Sequence, residues 1–393
     1  MTQPLGSVFQ TGFVAAAVLA VGSGFTVHGS PYPDAVVIDT VCGPAMAAAP
    51  LGMARCQPGT VNREPFSRDR LTPQTSGTTV LLQAVSVVND QVVWVSGHQG
   101  TYARTTNGGS TWTVGTVPGA DTLQFRDVEA FSANEAYLMA AGSGELSRIY
   151  YTTDGGATWG LQILNTDPKA FYDCFAFWDH THGVVLSDQV DGRTVMLETT
   201  GGGMWQRLPP TRVPAPAGTE GGFAASGTCL ITMGKNLGWI ATGAGSAARV
   251  FITTDHGNQW TAVTTPVAAG PTAGLATIAF RDERHGTAMG GDVGKNDDKT
   301  SQNVAITTDG GRTWKLGTRP PFAGGVFGSA FAMGLDTPAL IAVGPGGMAR
   351  SDNDGRSWQA LDTLAYWAVG FGKRSTGWAV GPKGRIVKIE LAP

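Results

Sequence analysis

Two matching dipeptides place a carboxylate where it could take part in catalysis. Arg126-Asp127 lies within Phe-Arg-Asp and Tyr172-Asp173 within Phe-Tyr-Asp, and each dipeptide opens a β-rich repeat. Glu220 leads into the following repeat. Hydrolysis of a glycosidic bond uses two carboxyl groups about 5 to 9.5 Å apart. If Asp127, Asp173 and Glu220 face one opening, they are the candidate catalytic residues of a glycoside hydrolase.

Other side chains at the same expected opening suit binding. Asp188 ends a strand, Asp292 follows the matching strand of a later repeat, and Tyr366-Trp367 opens the last repeat. Carboxylates, an arginine and aromatic rings together suit a sugar or a peptide. The alternative is a set of hydrogen-bonded residues around a wet channel. The candidate binding residues are Arg126, Asp127, Tyr172, Asp173, Asp188, Glu220, Asp292, Tyr366 and Trp367.

Other chemistries lack their motifs. Arg126 is the only arginine at the start of a first strand, and the Arg-Ile-Pro of sialidases is absent, so sialidase activity is not expected. No phosphate-binding loop or Gly-x-Ser-x-Gly motif occurs, and the histidines in turns show no zinc spacing. The acidic loop 292–298 could offer oxygen ligands to Ca²⁺, but it contains Lys295 and lacks the EF-hand spacing. We therefore expect a solvated loop, no metal and no cofactor.

A repeated motif supplies the elements that position these residues. Residues 307–314 read Thr-Thr-Asp-Gly-Gly-Arg-Thr-Trp. Five further copies, the third of them shorter and without the Asp, occupy residues 105–112, 152–159, 199–205, 253–260 and 351–358. The final tryptophans are 47, 46, 55, 54 and 44 residues apart, a period typical of a propeller. We call these six segments the box turns.

The motif is explained by a tight turn between two antiparallel strands. An Asx side chain bonds backbone amides two residues on, Gly supplies positive φ, and the first hydroxyl joins the network. The Trp then buries its ring between neighbouring sheets. No reactive group is left over, so we expect a structural role. The residues concerned are Asn107, Trp112, Asp154, Trp159, Trp205, Asp255, Trp260, Asp309, Trp314, Asn353 and Trp358.

Seven small-residue strands indicate seven repeats, one more than the box turns. They occupy residues 92–97, 136–142, 183–188, 238–243, 286–291, 339–344 and 377–381. The last repeat ends at residue 391 without a box turn or a fourth strand. Because an open sheet edge is prone to aggregation, residues 78–83 or their neighbourhood are predicted to supply the missing strand. The predicted fold class is all-β, a seven-bladed β-propeller over residues 78–393 closed by an N-terminal strand.

Propeller topology sorts the turns into two faces. First strands begin on the face that also carries the turns between second and third strands. The box turns, between third and fourth strands, lie on the other face. The candidate site residues therefore belong to the channel mouth on the face opposite the box turns.

The box turns resemble the Asp-box (BNR) repeat, which implies that they are structural and lie away from any active site. With Gly-Trp-Ala-Val-Gly at 377–381 before Gly-Arg-Ile at 384–386, the chain resembles the photosystem II stability/assembly factor family and its bacterial relatives over residues 78–391. This second resemblance implies a non-enzymatic scaffold that binds a membrane-protein precursor. Nothing in the sequence indicates a photosynthetic host, so the fold and the scaffold idea alone are carried over.

The first 75 residues differ in composition from the repeats. Residues 12–27 form a largely apolar run that suits a signal peptide better than a membrane span. The first Lys or Arg is Arg55, so a mis-called start with a disordered leader is the alternative. We predict a leader over residues 1–30, a poorly ordered linker over 31–77, and export to the periplasm or the medium. Membrane contact is expected through the leader alone.

Charge and cysteine content bound the partners and the compartment. The net charge of −3, with no run rich in Lys or Arg, gives no electrostatic case for binding nucleic acid. Cys42 and Cys56 precede the repeats, and their disulfide state is open. Cys174 and Cys229 occupy equivalent positions of adjacent repeats and so should point the same way around the ring. We expect buried free thiols there rather than a disulfide.

The sequence thus predicts an exported, monomeric, non-enzymatic propeller scaffold. It would bind a partner protein or peptide on the face opposite the box turns. The alternative is a glycan-active or glycan-binding propeller that uses Asp127, Asp173 and Glu220.

Overall fold

The computed structural model describes residues 69–393, which form a seven-bladed β-propeller and confirm the predicted fold class. Within this part of the chain, helical structure is limited to one 3₁₀ turn, Gly144–Leu146, and no helix is long and apolar enough to cross a membrane. The predicted leader, Cys42, Cys56 and most of the predicted linker lie outside the described residues.

Each blade is a four-stranded antiparallel sheet. Blade 1 contains β2 (Leu82–Val87), β3 (Val93–Gly97), β4 (Thr101–Thr105) and β5 (Thr113–Thr116). Blade 2 contains β6 (Phe125–Ala130), β7 (Ala136–Ala140), β8 (Arg148–Thr152) and β9 (Gly160–Leu164). Blade 3 contains β10 (Tyr172–Phe177), β11 (Gly183–Val190), β12 (Arg193–Thr199) and β13 (Trp205–Arg207). Blade 4 contains β14 (Leu230–Met233), β15 (Leu237–Ala241), β16 (Arg249–Thr253) and β17 (Thr261–Thr264).

The remaining blades complete the ring. Blade 5 contains β18 (Ala273–Phe280), β19 (Gly286–Asp292), β20 (Val304–Thr307) and β21 (Lys315–Leu316). Blade 6 contains β22 (Gly328–Ala332), β23 (Ala339–Gly344), β24 (Gly347–Ser351) and β25 (Gln359–Asp362). Blade 7 contains β26 (Ala368–Phe371), β27 (Thr376–Gly381), β28 (Arg385–Glu390) and, from the N-terminal side, β1 (Arg70–Gln74). The first strand of each blade contacts that of the next, and β26 contacts β2.

The closing strand is β1, not the predicted residues 78–83. β1 pairs antiparallel with β28, from Arg70 opposite Glu390 to Gln74 opposite Ile386. The fourth strand lies at the outer rim and the first strand lines the channel, three strand spacings of about 4.8 Å away. The chain needs residues 75–81 to cover that distance, so the closing strand must precede β2 by several residues. Residues 70–77 therefore belong to the propeller rather than to the predicted linker.

Gln74 fixes the closure by bonding two blades at once. Its Oε1 accepts hydrogen bonds from the indole Nε1 of Trp112 in the blade 1 box turn (3.0 Å) and of Trp378 in β27 (3.1 Å). Its Nε2 donates to the carbonyl of Gly108 (3.4 Å). One side chain thus satisfies buried donors on both sides of the last seam.

The box turns have the predicted hydrogen-bonded geometry, with one difference. In residues 307–314, Thr307 Oγ1 accepts from the amide of Gly311 (2.9 Å) and donates to Asp309 Oδ1 (2.8 Å). Asp309 Oδ1 accepts from the amide of Thr313 (2.9 Å), four residues on rather than two. The decayed copy lacks this network, and the buried hydroxyl of its Thr199 has no hydrogen-bond partner.

The box-turn tryptophans pack across the seams between blades. Trp260 and Trp314 are buried, and the other four are partly buried. Trp159 of blade 2 meets the rings of Trp94 and Tyr102 in blade 1, with centroids 6.2 and 5.1 Å away. The turns therefore attach each blade to its neighbour as well as joining two strands.

Cys174 and Cys229 form a disulfide, which corrects the prediction of free thiols. The two cysteines do not occupy equivalent positions of their blades. Cys174 follows a β-bulge in β10, whereas Cys229 ends an irregular segment just before β14 begins. A bulge re-aims the side chains beside it, and here both side chains meet in the seam between blades 3 and 4.

We predict that Gln74→Leu lowers the free energy of unfolding by about 2–3 kcal/mol, because it leaves two indole N–H groups without an acceptor. Chemical denaturation measures the loss. Thr72→Ala, an exposed change on the same strand, is the control and should shift stability by less than about 0.5 kcal/mol. Equal stability of Gln74→Leu and the wild type would contradict this role.

We also predict that the double variant Cys174→Ala/Cys229→Ala has a free energy of unfolding about 4 kcal/mol below that of the wild type. This is the chain-entropy contribution expected of a disulfide that closes a loop of this size. The cysteines are 55 residues apart. Thermal unfolding of the double variant and of the reduced wild type should agree. Labelling of the thiols shows when reduction is complete. If the melting temperature of the fully reduced wild type equals that of the untreated protein, the disulfide assignment is wrong.

Candidate functional site

A segment of the chain crosses the channel mouth opposite the box turns. Residues 221–228, here called the plug segment, belong to the long connection between β13 and β14. Gln83 Nε2 in blade 1 donates to the carbonyls of Ala224 (3.0 Å) and Ala225 (3.1 Å). Arg126 in blade 2 donates to the same carbonyl of Ala224 (3.3 Å). The plug segment therefore extends from blade 4 to the other side of the ring.

Blades 5 and 6 hold the second half of the plug segment. Ser226 Oγ donates to the carbonyl of Phe327, just before β22 (2.6 Å), and the hydroxyls of Thr228 and Thr277 share a hydrogen bond (2.7 Å). The disulfide of Cys229 follows directly. The amide of Gly222 also donates to Asp173 in blade 3, so the plug segment has partners in five other blades and lies across the channel.

Asp127 is buried under the plug segment and is engaged by backbone. It is 5% exposed. Its Oδ1 accepts from the amide of Val128 (2.8 Å) and its Oδ2 from the amide of Phe175 in blade 3 (2.9 Å). Burial raises the pKa of Asp127 well above its usual value, an effect that these two amides partly offset. The carboxyl thus joins blades 2 and 3 instead of facing a substrate.

Asp173 and Asp188 form a carboxyl pair beside the plug segment. Asp173 is 1% exposed, and its Oδ2 accepts from the amide of Gly222 (3.2 Å). Burial and the neighbouring charge of Asp188 raise the pKa of Asp173 well above its usual value. Burial raises the pKa of Asp188 to about 6. A Cβ at position 221 would lie 1.7 Å from Asp188 Oδ1, so glycine is required for this approach.

Glu220 is the third candidate carboxylate, and it is engaged in an ion pair. It is 3% exposed and pairs with the guanidinium of Arg249, with Nε to Oε1 at 2.8 Å. Thr242 Oγ1 donates to Oε1 (2.5 Å) and the amide of Ala217 to Oε2 (2.8 Å). Glu220 therefore anchors the start of the plug segment. Asp127, Asp173 and Glu220 do share one region, but none of the three carboxyls reaches an open surface.

The other predicted binding residues divide into buried and accessible ones. Tyr172 and Tyr366 are buried, and the Tyr366 hydroxyl donates to Asp362 Oδ2 (2.5 Å). Asp292 Oδ1 accepts from Thr272 Oγ1 (2.8 Å), which helps hold its pKa below the usual value. Trp367 keeps part of its ring exposed. Across residues 69–393, no group of three His, Cys, Asp or Glu side chains could hold a metal ion.

An aromatic pocket lies on the outer side of the plug segment. Its cavity measures about 240 Å³. The rings of Phe327 and Trp367 meet edge to face with centroids 5.5 Å apart. His98 contacts Gln83 Oε1 through Nε2 (2.9 Å), and burial lowers the pKa of His98. The lining residues are Leu81, Gln83, His98, Arg126, Phe223, Ala224, Ala225, Val293, Phe327 and Trp367.

Sequence reasoning identified Arg126 and Trp367 in this pocket and missed most of the rest. Phe223 stands between Gly-Gly and Ala-Ala-Ser-Gly in a connection too long for a hairpin, which is the one local signal available. Gln83 and Phe327 carry no motif. They meet because a ring of seven blades brings distant first strands to one centre.

We predict that Asp188→Asn gains stability over the wild type as the pH rises. The folded pKa of about 6 lies above the ordinary 3.8, so protonated Asp188 stabilises the fold at low pH. That contribution is lost between about pH 4 and pH 6. Chemical denaturation from pH 4 to 8 should show the difference growing up to pH 6 and then staying constant. Asp191→Asn, on an exposed carboxylate, is the control and should show no such trend.

Comparisons with known proteins identify the fold. No protein-family model matches the chain, and no curated protein matches its sequence. Among solved structures, YCF48 bound to D1 peptide has a TM-score of 0.58 at 17% identity, over 84% of this chain and 96% of that one. YCF48 from Cyanidioschyzon merolae has 0.55 at 18%, over 81% and 98%. U3-55K has 0.53 at 12%, over 82% and 98%. At such identities the similarity shows a shared propeller fold.

Proposed function

We propose that the protein is a scaffold that binds an extended peptide segment of a partner protein on the face opposite the box turns. One apolar side chain of the peptide would enter the aromatic pocket. The observation that carries the proposal is the pocket itself, an accessible concave surface at the mouth whose walls are Phe223, Phe327 and Trp367.

The size and chemistry of the pocket favour a side chain over a whole small molecule. Its volume of about 240 Å³ is below the roughly 300–1,000 Å³ of typical small-molecule sites. Its polar groups are already engaged, since Gln83 and Arg126 bond the plug segment. Aromatic walls with engaged polar groups suit an apolar anchor, the usual centre of a peptide or protein interface.

A similar propeller supports this use of the fold. YCF48 has been solved with D1 peptide bound. The motifs in the sequence independently resemble a family of binding scaffolds. The ligand class that we propose is therefore a peptide with an apolar anchor residue.

The alternative glycan-active function has lost its chemical basis in this conformation. It requires carboxyls that reach a sugar, and Asp127, Asp173 and Glu220 are bound to backbone amides or to Arg249. Trp367 could still stack on a sugar ring. A glycan array therefore belongs in the same experiment as the peptide screen.

We further propose that the protein is exported and monomeric. The apolar run at residues 12–27 supports export. The Cys174–Cys229 disulfide supports it as well, because disulfides persist in oxidising compartments. Fractionation of cells that produce the full chain, with thiol labelling of each fraction, tests this location.

The binding prediction uses a random peptide display screen on the folded protein. We expect selected peptides to share an apolar residue. Phe223→Ala and Trp367→Ala should weaken their binding at least about tenfold, or about 1.4 kcal/mol, by titration calorimetry. Leu316→Ala removes an exposed apolar side chain on the outer strand of blade 5 and should leave affinity unchanged.

Two outcomes would overturn the proposal. One is a screen that yields no apolar consensus while the glycan array gives a ligand that Trp367→Ala loses. The other is equal loss of affinity in Leu316→Ala and Phe223→Ala. Thermal unfolding of each variant separates lost binding from lost folding.

A further inference from the structure

Two histidines from different blades meet in the seam between blades 3 and 4, on the box-turn face. His182 lies in the turn between β10 and β11, and His256 lies in the blade 4 box turn. Their ring centroids are 3.9 Å apart. The indole of Trp178 stacks on His256 with centroids 4.9 Å apart, and its Nε1 donates to the carbonyl of Leu237 (2.8 Å). The pair therefore lies between the two blades and is partly buried.

The hydrogen bonds of the pair are satisfied when each ring carries one proton. His256 Nδ1 contacts the carbonyl of Lys235, which can only accept, so that nitrogen carries the proton. His256 Nε2 is then an acceptor, and it contacts His182 Nδ1, which must donate. In this arrangement His182 Nε2 carries no proton, and it is buried without a hydrogen-bond partner.

An added proton has no suitable place. On His182 Nε2 it would be a buried N–H with no acceptor, and on His256 Nε2 it would force the proton of His182 Nδ1 onto that same buried Nε2. Burial and the proximity of His256 lower the pKa of His182. The charged groups facing His182 are the carboxylates Asp179 and Glu198 and the guanidinium of Arg212.

The two carboxylates raise the pKa of His182, but they only partly offset the effects of burial and of His256. Asp179 Oδ1 accepts from the amides of Thr181 (2.8 Å) and His182 (2.9 Å). Both Glu198 oxygens accept from Arg212 at 2.7 Å. Arg212 also donates to the carbonyls of Gly257 and Asn258 in the same box turn, at 2.9 and 2.7 Å. Arg212 opposes a further positive charge at this place.

We infer that the His182–His256 pair is a pH-sensitive latch that fastens the blade 4 box turn to blade 3 at neutral pH and releases it on acidification. Release would loosen the seam through which Arg212 holds the connection that leads to the plug segment. This inference does not depend on the proposed peptide binding.

The test compares stability and local exchange across pH. His256→Gly is the matched variant, because glycine occupies the same place in the box turns at Gly108, Gly155 and Gly310, and the φ of 65° at His256 suits it. The wild-type folding equilibrium constant should fall up to about tenfold per pH unit below about pH 6.5 for each excluded proton. That fall should be absent or much reduced in His256→Gly.

A second readout distinguishes a latch from general acid sensitivity. Hydrogen exchange of the amides of residues 256–260, corrected for the intrinsic pH effect, should speed up between pH 7.5 and 5.5. The equivalent amides of residues 310–314 are the internal control and should not. His180→Asn alters a nearby histidine that pairs with Glu135 and should keep the wild-type acid loss.

Two results would overturn the latch. They are an unchanged acid loss in His256→Gly, and equal acceleration of exchange in both box turns.

Discussion

The pairing of β1 with β28 is the interaction on which the propeller depends. Each blade packs against its two neighbours, so an unclosed ring would leave a sheet edge and two apolar faces in water. Gln74 bonds Trp112 and Trp378. Arg350 of blade 6 pairs with Asp69, immediately before β1 (2.6 Å). β1 therefore completes blade 7 and connects it to blade 1, and Asp69 connects it to blade 6.

Closure leaves a central opening, and the plug segment decides what that opening can do. Its backbone forms hydrogen bonds with the side chains of Gln83, Arg126 and Asp173, all of which point to the centre of the ring. A carboxyl that could have been an acid or a nucleophile becomes a buried hydrogen-bond acceptor. The side chains that remain accessible are the aromatic rings above the plug segment. These rings suit recognition of an apolar side chain rather than bond cleavage.

The blades repeat, but the seams do not. Glycine usually occupies the fourth box-turn position, where φ is positive, yet His256 and Asp354 stand there with φ of 65° and 57°. Each uses the place for a contact across blades, His256 with His182 and Asp354 with Arg281 (2.8 Å). The seam between blades 3 and 4 also holds the disulfide. Departures from the repeat therefore mark where the ring has acquired individual contacts.

The sequence by itself determined the fold class, the number of blades and the role of the box turns, because these depend on local turn chemistry repeated at a regular spacing. It also indicated that an N-terminal strand closes the ring, but it placed the start of that strand eight residues too late. The position depends on the width of a blade, which no sequence motif encodes. The sequence also grouped Asp127, Asp173 and Glu220 in one region, because all three lie at or just before the starts of first strands. Their burial under residues 221–228, the disulfide and the aromatic pocket were decided by the tertiary structure alone. Each of these depends on where one irregular connection runs across the ring, and its course is set by partners in five other blades that are distant in sequence.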